Sequence, residues 1–299
     1  MSNHVAVILI ALGGPQSLRD VGPFMTAFMG RPAPPVIVSA VVNRYKLIGG
    51  KSPLPELVKA QAKALEKVLG SGFRIYEGFR YSHPTIAESF KKAINDGATH
   101  VIGVSLSPYQ TSVTTGAYQS AFEPLGDNTT KKTFIVSWHD NHFFIDAWRE
   151  RVQEGLNGFR NAQHKDAAVI FTSHSIPLRC ITSGDLYQQQ IEETVRLVIN
   201  GLNVKHWNIA WQSKGVRTTE PWLEPTVEST LFKIRQDGYT AVLEVPIGFT
   251  CDHLEILYDI DIVHRMYAQK LGLQFARTPS LNTSATFINA LADIVKKSL

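Results

Sequence analysis

The sequence is poor in cysteine and in long apolar runs, and both absences exclude classes of protein. Its two cysteines, Cys180 and Cys251, cannot form a disulfide scaffold or supply the four thiolates of an iron–sulfur cluster. No apolar run reaches the ~18 residues that span a bilayer, and the longest, Val5–Leu12, fits a buried strand. The N-terminus lacks the basic stretch of a secretory signal. We therefore expect a cytoplasmic protein with reduced thiols and no iron–sulfur cluster.

Charge is also scarce in this chain of 299 residues. Charged residues make up 19% of it, with 30 basic against 26 acidic side chains and a formal net charge of +4. No Lys/Arg cluster typical of nucleic-acid binding occurs, so we predict no nucleic-acid partner. The mild positive charge would help to attract an anionic small molecule or an anionic membrane surface.

Short apolar runs alternate with amphipathic segments along the chain, which predicts an α/β fold with parallel sheets. The predicted strands are Val5–Ile10, Arg74–Phe79, Val101–Leu106, Ala167–Thr172, Trp207–Trp211 and Thr240–Pro246. The predicted helices are Ser52–Leu69, Thr85–Asp96, Asp185–Asn200, Thr226–Asp237, Leu254–Leu271 and Phe287–Lys297. The same rhythm occurs twice, so we predict two doubly wound domains, at residues 1–108 and 109–299. The last helix is expected to pack back on the first domain.

Polar residues directly after predicted strands are the candidate site residues, because α/β domains bind ligands there. The segment Leu12–Pro15 (LGGP) brings backbone close to a ligand, or is simply a turn. His174 follows a buried strand among hydroxyl residues. It is a base or a metal ligand, or it only caps the strand.

A row of carboxylates begins the predicted helix 254–271. Asp252, Glu255 and Asp259 share one face at spacings of three and four. Like charges so placed repel by roughly 0.2–0.5 kcal/mol per pair, which favours a face offered to a cation. Stabilisation of the helix dipole is the alternative, and it explains Asp252 better than Asp259.

Aromatic and basic residues come together in Gly78–Pro84 and around Trp211–Lys214 with Trp222, which suits a flat anionic ligand or ordinary core packing. Met25–Val42 is apolar and proline-rich and does not predict a regular helix. It is a hydrophobic lip over a cleft or a packed loop.

Ten short segments match the motifs of one family in order, nearly from end to end. They are Leu12–Pro15, Arg44–Tyr45, Ile48–Pro53, Gly78–Pro84, Thr114–Gly116, Ser173–Pro177, Trp211–Lys214, Pro221–Leu223, Val245–Asp261 and Ser280–Asn282. With these motifs the chain resembles the ferrochelatases, lyases that insert ferrous iron into a porphyrin to make haem. The resemblance implies two Rossmann-like domains with the active site in the cleft between them.

The resemblance also implies roles for individual residues. His174 and Glu255 are the expected catalytic residues on opposite faces of the porphyrin, and His174, Glu255 and Asp259 are the expected iron ligands. The expected porphyrin-binding residues are Leu12, Met29, Arg31, Tyr45, Ser52, Arg80, Tyr81, Trp222 and His253. Ferrous iron is then a substrate, and no tightly bound cofactor is expected.

The sequence departs from the family pattern in two places that bear on the site. The family often has a third carboxylate four residues after Asp259, where this chain has Val263. The segment between Lys214 and Trp222 is longer than usual.

Three other functions compete with iron insertion. A non-catalytic haem or tetrapyrrole carrier would need aromatic walls but no carboxylate row, and a chelatase for cobalt or another tetrapyrrole would share the fold. A metal-dependent hydrolase is disfavoured because no His-x-x-x-His pair occurs. For the porphyrin, the apolar lip favours protoporphyrin IX over coproporphyrin III, and we expect that lip to contact a membrane peripherally.

Overall fold

The computed structural model describes residues 4–127, 129–161, 167–215 and 219–299. The chain divides into two compact units. The first contains the chain up to Trp138 together with Cys251–Leu254 and Asn282–Leu299, and the second contains His139–Thr250 and Glu255–Leu281. Residues 109–138, which we had placed in the second domain, therefore lie in the first unit.

In the described residues, the first unit has a parallel sheet of order β2-β1-β3-β4. Its strands are β1 (His4–Ala11), β2 (Phe73–Phe79), β3 (Ala98–Ser105) and β4 (Lys131–Ile135). Its helices are α1 (Val21–Met29), α2 (Pro35–Leu47), α3 (Leu54–Leu69), α4 (Ile86–Asn95), α5 (Thr115–Phe122) and α11 (Ala285–Lys297). Helix α11 packs against α3.

The second unit repeats this topology in its described residues, with a parallel sheet of order β6-β5-β7-β8. Its strands are β5 (Ala168–His174), β6 (Trp207–Gln212), β7 (Ala241–Val245) and β8 (Gln274–Arg277). Its helices are α6 (His142–Asn161), α7 (Leu178–Thr182), α8 (Tyr187–Ile199), α9 (Val227–Gln236), a π-helix (Glu255–His264) and α10 (Arg265–Lys270). The predicted pair of α/β domains with parallel sheets is confirmed.

Local sequence explains the best-predicted elements. Strand β1 is apolar after His4 and buried at all but one of its positions, and it lies inside the sheet between β2 and β3. Helix α4 begins with a capping box, in which the Thr85 hydroxyl accepts from the Glu88 N–H and the Glu88 carboxylate accepts from the Thr85 N–H.

The apolar segment Met25–Val42 is helical in both its halves, so our expectation of no regular helix there is wrong. Gly30 follows the end of helix α1, and its φ of +64° suits a residue without a side chain. Helix α2 begins at Pro35, a residue that needs no hydrogen-bond partner for its nitrogen in the first turn. The prolines thus separate two helices rather than preventing them.

The predicted helix 254–271 is helical but not uniformly α-helical. Residues Glu255–His264 form a π-helix, and α10 continues from Arg265. A π-helix of this length is rare, and such turns occur frequently at functional sites. Among the described residues, no helix combines the length and the apolar character needed to cross a membrane.

Candidate active site

His174 is the last residue of β5, beside the point where the chain order of the second sheet reverses. The connection from β5 leads to β6 on one side, and β7 lies on the other. Ligands in open α/β sheets bind beyond the carboxyl ends of the strands at such a point. His174 pairs with Gln212 at the end of β6, and the N–H of Ser175 donates to the Gln212 carbonyl at 2.8 Å.

One hydrogen bond fixes the tautomer of His174. Its Nδ1 lies 2.5 Å from the carbonyl oxygen of Ser175, and because a carbonyl can only accept, Nδ1 carries the proton. The lone pair therefore sits on Nε2, where it can take a proton or bind a metal. A backbone carbonyl, and not one of the neighbouring hydroxyl groups, therefore fixes the tautomer.

The hydroxyl groups near His174 instead hold the end of β5. The Tyr187 hydroxyl donates to the His174 carbonyl at 3.0 Å and lies 2.5 Å from the Ser173 hydroxyl. Burial raises the pKa of Tyr187, so this group keeps its proton and remains a donor. On the other side, a Cβ at Gly248 would lie 2.8 Å from the Cα of Ser173, so only glycine allows this approach.

Trp222 lies on a segment tied to the loop that follows His174. It forms an isolated antiparallel bridge with Pro177, and the N–H of the next residue, Leu223, donates to the carbonyl of Ile176 at 3.0 Å. The Ser175 hydroxyl donates to the Leu223 carbonyl at 3.0 Å. The structure thus places Trp222 near the loop of the candidate base. Of the longer segment 215–221, residues 216–218 lie outside the described residues.

The π-helix carries Glu255 and Asp259 on a half-buried face. The buried amide of Gln212 donates to the Glu255 carbonyl at 3.1 Å, and the Ser213 hydroxyl donates to the Asp259 carboxylate. Ser213 has a φ of +61°, a conformation that an ordinary residue adopts only where the surroundings impose it. Gln212 and Ser213, at the end of β6, therefore hold the parts of the π-helix that carry Glu255 and Asp259. We did not predict this role for Gln212.

Asp252 does not join this row, which corrects our expectation of three carboxylates on one helical face. It precedes the π-helix and belongs to the first unit. There its carboxylate accepts from the Asn282 amide at 2.8 Å, while its N–H donates to the Asn282 side-chain oxygen at 3.0 Å. His253 lies beside it and donates from Nδ1 to the Cys251 carbonyl at 2.9 Å.

In the first unit, four expected porphyrin-binding residues lie together at the carboxyl ends of β1 and β2. The N–H groups of Arg80 and Tyr81 donate to the carbonyls of Ala11 and Leu12, at 3.0 and 3.1 Å. Ser52 is tied to the same edge, because its N–H donates to the Pro15 carbonyl at 2.8 Å.

An aromatic and cationic row continues from this edge. The Arg80 guanidinium lies 5.1 Å from the centre of the Tyr81 ring, and Phe28 meets the same ring edge-on at 5.3 Å. Arg31 is exposed near the end of α1, and Met29 is half-buried. Tyr45 is buried on α2.

The candidate metal ligands do not form a ready-made metal site. Among the described residues, no group of three or more His, Cys, Asp or Glu side chains is arranged to hold a metal ion. The two cysteines, Cys180 and Cys251, are both buried thiols.

Comparison with known proteins decides the family. A profile described as Ferrochelatase matches residues 4–299, which is nearly the whole chain. The chain belongs to the ferrochelatase family. The family resemblance read from the sequence motifs is confirmed, and with it the enzyme class of a porphyrin metal-chelating lyase.

Ferrochelatase-family relatives cover the chain from end to end. It is 36% identical to the ferrochelatase of Geobacter metallireducens, with 100% of this chain and 99% of the relative covered. It is 34% identical to the ferrochelatase of Deinococcus radiodurans, covering 98% and 95%. It is also 33% identical to a coproporphyrin III ferrochelatase of a Geobacillus species, covering 99% and 98%.

Solved structures of chelatases share the fold of this ferrochelatase-family chain. SirB from Bacillus subtilis with Fe3+ superimposes with a TM-score of 0.66 at 13% identity, covering 99% of this chain and 95% of SirB. CbiX, described as the terminal enzyme of siroheme biosynthesis in denitrifying bacteria, gives 0.59 at 8% identity, covering 99% and 100%. At these identities the likeness shows the fold alone.

Proposed function

We propose that this ferrochelatase-family chain inserts ferrous iron into a free-base porphyrin and releases two protons for each iron inserted. The observation that carries the proposal is the arrangement around Gln212. The Gln212 carbonyl accepts from the N–H of Ser175, the residue after His174, and the Gln212 side chain donates to the carbonyl of Glu255. One residue therefore contacts both the segment of the candidate base and the start of the carboxylate row.

His174 is the proposed proton acceptor. A free-base porphyrin has its central nitrogen lone pairs in the plane of a rigid ring, and two pyrrole protons must leave before iron can bind. Because Nδ1 of His174 is committed to the Ser175 carbonyl, Nε2 is the atom that accepts a proton or transiently binds iron.

Glu255 and Asp259 are the proposed carboxylates that receive the iron. Carboxylate and imidazole both suit ferrous iron. Fewer than three clustered protein ligands would hold the metal weakly, as suits an ion that must be passed on to the porphyrin nitrogens. With Val263 at the next position of the row, Asp259 is its last carboxylate.

The proposed porphyrin is protoporphyrin IX. The aromatic and cationic row of Arg80, Tyr81 and Phe28 suits a flat ring with a small number of carboxylates. Coproporphyrin III carries more propionates and would require more cationic groups than Arg80 and Arg31 provide. Leu12, Met29, Tyr45, Ser52, Trp222 and His253 remain proposed porphyrin contacts from the family resemblance.

The porphyrin preference is tested by comparing initial rates of ferrous iron insertion into protoporphyrin IX and coproporphyrin III under anaerobic conditions. The proposal requires a larger kcat/KM for protoporphyrin IX. A larger value for coproporphyrin III would reverse the assignment, and insertion of cobalt but not iron would favour a chelatase of different specificity.

We further propose that the enzyme works without an iron–sulfur cluster and contacts the membrane surface in the cytoplasm. Two cysteines are too few for a cluster, and buried thiols suit a reducing compartment. On α1 and α2, Phe28 is 49% exposed and Val36 is 62% exposed, which offers apolar side chains to a lipid surface. Such contact would shorten the transfer of an apolar porphyrin from the membrane.

A further inference from the structure

The π-helix of the second unit turns three residues into the core. Ile256, Ile260 and His264 are buried and spaced by four, and each buried isoleucine follows a carboxylate, Glu255 or Asp259, by one position. Rotating the helix by one residue would therefore exchange the buried row for the carboxylate row. The rotation of this helix about its axis decides whether the carboxylates can reach iron.

Apolar packing sets which face of the helix is buried, but it does not fix the finer rotation within that arrangement, because hydrophobic burial has no direction. Ile256 and Ile260 pack in an apolar cluster with residues of β5, β6, β7, α9 and α10. His264 is the polar member of the buried row and makes a directional contact. Its Nδ1 donates to the carboxylate of Glu244, at 2.9 Å to Oε1 and 3.2 Å to Oε2.

The position of Glu244 is fixed by the sheet. It lies in β7, an inner strand, and its backbone is aligned with Ile170 of β5 and Arg277 of β8. Because side chains alternate along a strand, Glu244 shares the sheet face of Val242, which packs in the same apolar cluster. The Glu244 side chain is 0% exposed and that of His264 is 3% exposed.

Stability alone does not explain a buried glutamate and histidine at these positions. Burial of a charged group is unfavourable, and replacing a buried ion pair by apolar residues of similar size is often neutral or stabilising. Burial acts to lower the pKa of His264, but the Glu244 carboxylate, with smaller contributions from Glu228 and Asp259, outweighs it and raises that pKa. The charged imidazolium is thus favoured, which strengthens its bond to Glu244.

We propose that Glu244 and His264 are positioning residues, whose buried hydrogen bond fixes the rotation of the π-helix so that Glu255 and Asp259 face away from the core and remain available to iron. The pair touches no reacting atom. The proposal rests on the proposed iron insertion, in which those two carboxylates receive the metal.

The decisive variant is the double substitution Glu244→Leu with His264→Leu, which removes the bond without leaving a charge unpaired. We expect it to fold with a melting temperature close to that of the parent. We expect kcat/KM for ferrous iron to fall roughly tenfold or more, as when outer residues that orient metal ligands are replaced. The KM for porphyrin should stay within about twofold. A parental kcat/KM for iron would overturn the proposal.

Two further variants separate positioning from stability. Leu231→Ala opens a cavity in the same apolar cluster and should lower the melting temperature while leaving kcat/KM for iron near the parental value. If it lowers that value as much as the double substitution does, the pair has no positioning role. Glu244→Gln keeps an acceptor for Nδ1 and should lose less activity than the double variant. If the double variant fails to fold, Glu244→Gln with His264→Leu also removes the bond without burying a charge, and a parental kcat/KM for iron in that variant overturns the proposal.

Hydrogen exchange tests the same inference without activity. Amides of residues 255–264 should exchange faster in the double variant than in the parent, while those of β5 and β7 keep their protection. Unchanged exchange in 255–264 would overturn the positioning role. If the parent inserts iron into no porphyrin, the proposed function fails, and the exchange measurement still decides whether the pair fixes the helix.

Discussion

The side-chain amide of Gln212 donates a hydrogen bond to the backbone carbonyl of Glu255, with 3.1 Å between Nε2 and the oxygen. The backbone carbonyl of Gln212 accepts a hydrogen bond from the N–H of Ser175, the residue that follows His174. A single buried glutamine therefore contacts the segments of both candidate catalytic residues. Because its two bonds are made at opposite ends of the residue, a change in the side chain can disturb Glu255 and leave His174 in place.

Replacing Gln212 tests this link. Gln212→Glu substitutes an acceptor for the amide donor and sets it against the Glu255 carbonyl, so we expect a loss of about 1–3 kcal/mol in unfolding free energy and a larger loss of activity than in Gln212→Met. Met keeps the length of the side chain without adding repulsion. Denaturant unfolding and initial rates of iron insertion measure the two effects. Equal activities of the Glu and Met variants would contradict the assigned contact.

His174→Ala should nearly abolish iron insertion while porphyrin still binds. The variant removes the Nε2 lone pair but leaves the backbone at the end of β5, where the Tyr187 hydroxyl donates to the carbonyl of residue 174 and the Gln212 carbonyl accepts from the Ser175 N–H. Porphyrin binding is followed by the Soret absorbance of the bound ring, and insertion by the rate of haem formation. Turnover within a few-fold of the parent would refute the role of this histidine.

The two carboxylates of the π-helix should differ in importance. Glu255→Gln is expected to remove most of the activity, because it removes the carboxylate nearest the start of the helix. Asp259→Asn should weaken activity less, because an asparagine oxygen can still accept the hydrogen bond from Ser213. Initial rates at varied ferrous iron concentration compare the two variants. An Asp259→Asn variant as damaged as Glu255→Gln would show that the graded assignment is wrong.

The sequence predicts the elements whose signal is local. Strand β1 and helix α4 follow from an apolar run and a capping box, and His174 follows from its position after a buried strand. The sequence of helix α6 has an equally clear helical pattern, because its apolar residues Phe144, Trp148 and Val152 are spaced by four and are buried, but we did not predict this helix. Strand β4 has five residues at the edge of its sheet and is only half-buried, so its pattern is weak.

The parts of the site that sequence could not supply depend on contacts between distant segments. Gln212 meets Glu255 across 43 positions of the chain, and Glu244 meets His264 across 20. Asp252 has the spacing of a helical residue, yet its bonds to Asn282 draw it out of the carboxylate row. The periodicity of a sequence indicates which residues share a face, but it does not indicate their distant hydrogen-bond partners. It also does not distinguish a π-helix from an α-helix.

Membrane contact should depend on the exposed apolar side chains of α1 and α2. Phe28→Ser with Val36→Ser is expected to reduce co-sedimentation with anionic phospholipid vesicles at low salt, because both side chains are exposed in the first unit. Phe232→Ser is the matched control, since Phe232 is 48% exposed on α9 of the second unit. A parent that stays in the supernatant, or a double variant that sediments like the parent, would refute the contact.

Multiple-turnover iron insertion distinguishes a ferrous iron chelatase from a tetrapyrrole carrier. Purified protein is mixed under anaerobic conditions with a large excess of protoporphyrin IX and ferrous iron, and haem is measured against time together with protons released. The expected result is haem far in excess of the protein present, two protons for each haem formed, and loss of this turnover in His174→Ala. Haem that does not exceed one equivalent of protein, with tetrapyrrole bound but not converted, would contradict it and indicate a carrier.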